Sequence, residues 1–330
     1  MKHLSMMGQI LLASLFALSG ACAAPAPACE GHDLAVGLDL KAALARRADD
    51  LVNAHGLLWR VEKAGVAPSY LYGTMHSADV DAVALAHEAA KMLAGASVIA
   101  TELRAPLTSV EKAELAGQML AQALDRDVDT FAGALSAESG QRIDSYMAER
   151  GFPHDFVHHL KLWFLAVVTS LPACETQRAE LKLPVVDDIL AEAGKERGLK
   201  NVGLETTDEQ ISAMASLPVE AAATMLAQTA QNPALIDDSF VTMLRLYREK
   251  RPAELLAIFD ALPGLTPAEQ SAQEQFLQLM IARNVTMAER ARPLLDAGGA
   301  FIAVGALHLP GKQGLIERWR AEGYTVVNVW

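Results

Sequence analysis

Two histidines stand three residues after a glycine at the end of an apolar run. "SYLYGTMH" carries Gly73 and His76, and "FIAVGALH" carries Gly305 and His308. Two further runs end in a carboxylate, "SVIATE" at Glu102 and "NVGLE" at Glu205. All four runs are short and mostly apolar, a strand signal. In open α/β sheets, ligands bind beyond the carboxyl ends of the strands. If the four runs are parallel strands, two imidazoles and two carboxylates gather at one edge of the sheet. That donor set suits a divalent cation such as manganese, cobalt or zinc. The glycines fit the same picture, because a residue without a side chain lets backbone turn or approach a ligand closely. Each residue alone has a plainer reading, as a helix cap or a solvated strand end. The weight rests on four such positions with one matched pair.

The surrounding pattern supplies elements to hold them. "LLWRVEK" and "SYLYGTM", separated by "AGVAP", read as a hairpin. "AVALAHEAAKMLAGA" is an amphipathic helix stopped by glycine, and "SVIATEL" is the strand after it. At the far end "AFIAVGAL", "GLIERWRAEG" and "YTVVNVW" repeat the order strand, helix, strand. Such units make parallel pairs through a right-handed crossover, which would put Glu102 beside His76. The expected fold class is α/β. It has a central mixed, largely parallel sheet built from two strand–Gly-x-x-His–helix–strand units, with a large helical insertion between them. Residues 25–330 are read as one domain, with the insertion at about 106–182 and a long helical stretch at about 206–297. Thr206 or Thr207 caps "TTDEQISAMASL", with Glu209 placed for a capping box. Asp187 and Asp188 are expected to start "VVDDILAEAGKERG", since Asp caps well. "DLKAALARRADDLVNAHG" is helical in composition, and "FVHHLKLWFLAVVTSL" is the most apolar helical piece.

A rival constellation is "HDFVH", in which His154 and His158 are four residues apart and share a helix face. The spacing is that of H-E-x-x-H zinc proteases, but Asp155 stands where the glutamate base would be. With His159 adjoining, the segment is read as a surface helix or a lid facing substrate. No phosphate-binding loop, dinucleotide fingerprint or G-x-S-x-G elbow occurs.

Composition is that of an ordinary globular chain, with 52% hydrophobic and 21% charged residues among 330. A net charge of −12 with no basic stripe argues against a nucleic-acid partner. Lys2 and His3, the apolar "ILLASLFAL" and the small residues of "GACAAPAPAC" read as a signal peptide over residues 1–24. The apolar run is short for a membrane span, so no transmembrane helix is expected in the mature chain. Cys22 raises lipoprotein anchoring as an alternative, although Leu18 stands one position too far from it for the usual lipobox. Cleavage leaves Cys29 and Cys174, which in an oxidising compartment read as one disulfide rather than two free thiols. The expected location is secreted and periplasmic.

The chain also resembles the TraB/GumN family, whose relatives include the Tiki metalloproteases. The matching blocks are "LLWRVEKAGVAPSYLYGTMHSA", "NVGLETTDEQ", "ARN" at 282–284 and "ERARPLLDAGGAFIAVGALHLPGKQGLIERWRAEGYTVV". The resemblance implies a central sheet flanked by helices. For the Tiki branch it implies metal-dependent peptide-bond cleavage by two Gly-x-x-His motifs and a glutamate, here His76, His308 and Glu102. It also implies a role for Glu205, and for Arg283 as a group that binds a substrate anion. The expected function is a secreted, divalent-metal-dependent hydrolase acting on peptides, with Glu102 as ligand or general base. The alternatives are a metal-dependent esterase and a non-catalytic protein that binds a metal or small molecule in the same cleft.

Overall fold

An unbroken apolar run such as "AFIAVG" is stable as a strand only where helices cover both faces of its sheet. The computed structural model, which describes residues 27–330, has that arrangement. The segment read as a signal peptide, with Cys22, lies outside the described residues. Six strands form one sheet: β1 (Leu58–Glu62), β2 (Ser69–Thr74), β3 (Val98–Thr101), β4 (Lys200–Gly203), β5 (Ala300–Gly305) and β6 (Thr325–Asn328). Their order is β4-β3-β5-β2-β1-β6. The pairs β4–β3, β3–β5 and β5–β2 are parallel, while β1 is antiparallel to both β2 and β6. The sheet is therefore mixed and mostly parallel, in an α/β fold.

Alternate residues of the central strands feed two cores. Ile99, Tyr72, Phe301 and Ala303 pack on one face, against the helices Val80–Ala90, Val186–Glu196 and Ala234–Arg248. Ala100, Leu71, Ile302 and Val304 pack on the other, against the long helix Pro267–Ala297 and the helix Leu315–Ala321. A third apolar cluster involves no strand. It joins Ile143, Met147, Val157, Leu165 and Leu226, so the helices between Ser109 and Thr169 and those between Thr207 and Gln231 form a helical cap.

Three local expectations are corrected. β2 and β3 are not neighbours, because β5 lies between them, and β5 and β6 are separated by β2 and β1. The two strand–helix–strand units interlock instead of lying side by side. The segment after Asp39 is helical only over Lys41–Arg46 before it breaks into turns. "FVHHLKLWFLAVVTSL" is two helices, His154–Val157 and Leu162–Thr169, split where Leu160 bridges to Leu124. By contrast Thr206 caps the helix Thr207–Ala215 with its side chain, and Glu209 closes the capping box. The structure also joins Cys29 to Cys174, with Cα atoms 5.1 Å apart. No helix among the described residues is long and apolar enough to cross a membrane.

Candidate metal centre

The interlocked order makes β2 and β5 parallel neighbours, with Thr74 opposite Gly305. Both Gly-x-x-His motifs therefore leave the sheet side by side. A Cβ on Gly73 would lie 3.0 Å from the Cα of Ala306, so the first glycine makes room for the turn that carries the second histidine. That turn is the 3₁₀ segment Ala306–His308. β3 and β4 stay paired past their ends, where Glu205 N–H donates to the Glu102 carbonyl at 2.8 Å. This brings the two glutamates together on the other side of β5.

His308 is fully buried. Its Nδ1 lies 2.7 Å from Asn284 Oδ1, and the Asn284 amide is oriented by donating to the Gln313 carbonyl at 3.1 Å. Burial pushes the imidazole down to about 4, so it is neutral at pH 7. A neutral ring that donates from Nδ1 presents a bare lone pair at Nε2. That buried nitrogen has no hydrogen-bond partner, and it lies 3.7 Å from Glu102 Oε1.

Glu102 Oε1 accepts the Gly305 N–H at 2.7 Å, and Oε2 accepts from Arg283 Nη2 at 2.6 Å and Gln210 Nε2 at 3.1 Å. Burial raises this carboxyl, but His308, Arg283, His76 and the Gly305 N–H outweigh it and hold the group at about 2. A Cβ on Gly305 would come within 3.1 Å of Glu102 Oε1, so the second glycine admits the carboxylate to the backbone.

His76 is arranged differently. Solvent reaches 74% of its side chain, and Nδ1 lies 2.8 Å from Asp187 Oδ2. Asp187 in turn accepts from Thr74 Oγ1 at 2.9 Å. The Asp187 carboxylate raises the imidazole above its ordinary value. In both histidines, then, Nδ1 is held by an outer oxygen. Asp187 and Asp188 do fall in the first turn of Val186–Glu196, but the cap position is Val185 and no side chain caps it. Asp187 is spent on His76 and Thr74 instead.

Glu205 and Arg283 are spent on each other. Arg283 Nε donates to both Glu205 oxygens at 3.0 and 3.2 Å, and Nη2 donates to Oε2 at 2.5 Å. Gln210 Nε2 adds a donor at 3.2 Å to the same oxygen. The guanidinium is thus committed to two carboxylates inside the protein, which differs from a cation held out for a substrate anion. Among the described residues, no three ligand atoms of the strand-end set lie mutually within 4.8 Å. His308 and Glu102 meet, while His76 and Glu205 are turned to their own partners.

The "HDFVH" segment is not a free surface. The ligand atoms of His154, His158 and Asp144 all lie within 4.8 Å of one another. Asp144 comes from the helix Ala137–Glu149, and nothing in the local sequence pairs it with the histidines. Asp187, Asn284 and Gln210 were equally inaccessible to spacing arguments, although Gln210 and Asn284 stand inside the blocks "NVGLETTDEQ" and "ARN".

Neither a search of curated proteins nor one of solved structures found a match. The model of the TraB/PrgY/gumN family matches residues 57–328, which takes in β1 through β6 and every residue of the strand-end cluster. With both Gly-x-x-His motifs brought side by side inside the matched span, the chain belongs to the TraB/PrgY/gumN family.

Proposed function

We propose that the protein is a divalent-metal-dependent hydrolase acting on peptide bonds, with His76, His308 and Glu102 as the residues that hold the cation. The observation that carries this reading is the bare Nε2 of His308, buried and facing a carboxylate at 3.7 Å with no proton donor assigned between them. Two lone pairs turned toward each other in a buried site are unfavourable unless a cation lies near both. The outer partners of the histidines point the same way. Ligating imidazoles bind through one nitrogen and give the other to a carboxylate or carbonyl. Asn284 and Asp187 occupy those outer positions. Glu102, Glu205 and Arg283 together carry one net negative charge, which favours a cation over an anion.

A divalent ion supplies an activated water and polarisation of a carbonyl when bound. The chain's own residues do the rest. Asn284 fixes the tautomer of His308. Gly305 N–H and Arg283 hold Glu102 ionised at about 2, which makes it a weak proton acceptor and a good ligand, since a general base works best with a pKa near the working pH. Glu205 neutralises Arg283 and keeps its fork aligned on Glu102, so its role is to position rather than to bind the ion. His76 lies open to solvent, where substrate enters. The Cys29–Cys174 disulfide supports a secreted, periplasmic location, because such bonds persist in oxidising compartments.

Elemental analysis of protein purified without chelator, followed by incubation of manganese-, cobalt- and zinc-loaded protein with a peptide library, tests the proposal. Turnover that is lost in Glu102→Gln and His308→Ala, with circular dichroism unchanged, is the expected result. Metal bound at full occupancy without cleavage of peptides or esters would make the protein a non-catalytic binder. Ester cleavage alone would make it an esterase.

A further inference from the structure

Outside the strand-end cluster, the helical cap holds a second set of converging donors. His158 Nε2 lies 3.1 Å from Asp144 Oδ2, and His154 Nε2 lies 3.4 Å from the same oxygen. These separations match the edges of about 3.3 Å that a tetrahedral ion with bonds of about 2.0–2.1 Å requires of its ligands. The outer nitrogens are also engaged. His158 Nδ1 is 3.0 Å from Asp129 Oδ1, and His154 Nδ1 is 3.4 Å from Asp155 Oδ1. Each imidazole therefore has a carboxylate at both nitrogens.

A neutral imidazole carries one N–H and can satisfy only one of them. Satisfying all four contacts with protons requires two imidazolium rings, yet these rings are stacked with centroids 4.1 Å apart. Two such cations would lie face to face, with their charges repelling. A metal ion among the two Nε2 atoms and Asp144 resolves the conflict, because each ring then needs only its Nδ1 proton, given to Asp129 or Asp155. That is the carboxylate–histidine–metal arrangement of established sites. The other carboxylate oxygen of Asp144, Oδ1, is buried with no hydrogen-bond partner.

We propose that Asp144, His154 and His158 form a second metal site, separate from the strand-end centre, that takes a borderline divalent transition ion of the zinc class. Two nitrogens and one carboxylate oxygen suit that class better than magnesium or calcium, which prefer all-oxygen sets. One position faces solvent, since 64% of the His154 side chain is exposed. The ion would clamp the helix Ala137–Glu149 to the short helix His154–Val157 across the turn at Gly151, above the core formed by Ile143, Met147 and Val157. Its role is structural, in that it ties down the outer end of the cap.

Zinc titration of the chelator-stripped mature chain by calorimetry tests this, with cobalt absorption as a spectroscopic check. His308→Ala, which disables the strand-end centre, should retain one zinc equivalent with the parent's affinity. Asp144→Asn and His158→Ala should each weaken that equivalent by 100-fold or more. Asp129→Asn leaves the ligands in place and should weaken it by about 10- to 100-fold, as outer-shell losses do. In the His308→Ala background zinc should still raise the melting temperature, and it should no longer do so once Asp144→Asn is added. Exposed His154→Ala covers the case in which a more buried variant fails to fold. Unchanged zinc affinity in both His154→Ala and Asp144→Asn would overturn the proposal. Loss of all zinc in His308→Ala would also overturn it while leaving the strand-end reading intact.

Discussion

Asn284 decides what His308 can do. An amide oxygen 2.7 Å from Nδ1 holds the proton there, and a ring buried this deeply has one other nitrogen to offer. Replacing Asn284 with leucine keeps a similar volume but leaves a buried N–H without an acceptor. That costs about 1–3 kcal/mol of stability. Because the tautomer and ring orientation are released, affinity for manganese or zinc should fall by about 10- to 100-fold. Asn284→Asp keeps an acceptor and should keep most of the affinity. Calorimetric titration of both variants decides the matter, and parent-like binding by Asn284→Leu would show that His308 needs no outer partner.

The helix Thr207–Ala215 begins immediately after Glu205 and carries Gln210, so its first turn sets where the two glutamates are held. Thr206 caps it, and Thr206→Ala should cost about 1 kcal/mol. Glu209 closes the box. The Arg290 guanidinium and the Thr206 N–H hold its carboxyl at about 2, below the ordinary value of 4.5. A lowered carboxylate contributes stability that is present above the unfolded value and lost as pH falls through the folded one. The contribution of Glu209 should therefore be complete above pH 4.5 and vanish between 4.5 and 2. Glu209→Gln keeps an acceptor for the Thr206 N–H but does not titrate. Urea midpoints of parent and variant should converge as pH falls across that window. A constant gap would mean the Arg290 pair adds nothing to the cap.

In the molecule as a whole, the disulfide ties down a helix that holds the loop beside the strand-end cluster. Cys174 lies in the helix Ala173–Glu180, whose Glu175 accepts from Ser77 Oγ at 2.6 Å and from Arg178 Nη1 at 2.6 Å. Arg178 also donates to Asp79 Oδ2 at 3.0 Å. The loop just after His76 is thereby tied to the helix that Cys29 anchors. A disulfide is typically worth about 2–4 kcal/mol of stability, and this one joins residues 145 apart in sequence. Cys29→Ser should lower the unfolding free energy by that amount, seen as a lower urea midpoint, and weaken metal binding through the His76 loop. Added reductant should do the same to the parent and nothing to the variant. Equal midpoints for oxidised and reduced parent would show that the bond restrains nothing.

Local chemistry was legible in the chain alone. Apolar runs broken by glycine marked the strands, Thr206 with Glu209 marked a helix start, and the matched histidines marked the edge where the two motifs leave the sheet side by side. The pairing of Cys29 with Cys174 followed from reading residues 1–24 as a leader, which leaves those two cysteines. Those features are set by residues within a few positions of one another, or by counting. What each site residue faces was decided only in three dimensions. The insertion of β5 between β2 and β3 is a choice of strand order, and every order buries the same apolar runs. That choice put Glu102 against Gly305 and His308, and left His76 to Asp187. Arg283 and Asp144 were likewise assigned by the packing of helices far apart in sequence. A charge reads as a substrate anchor or a surface group until the fold shows which opposite charge has already taken it.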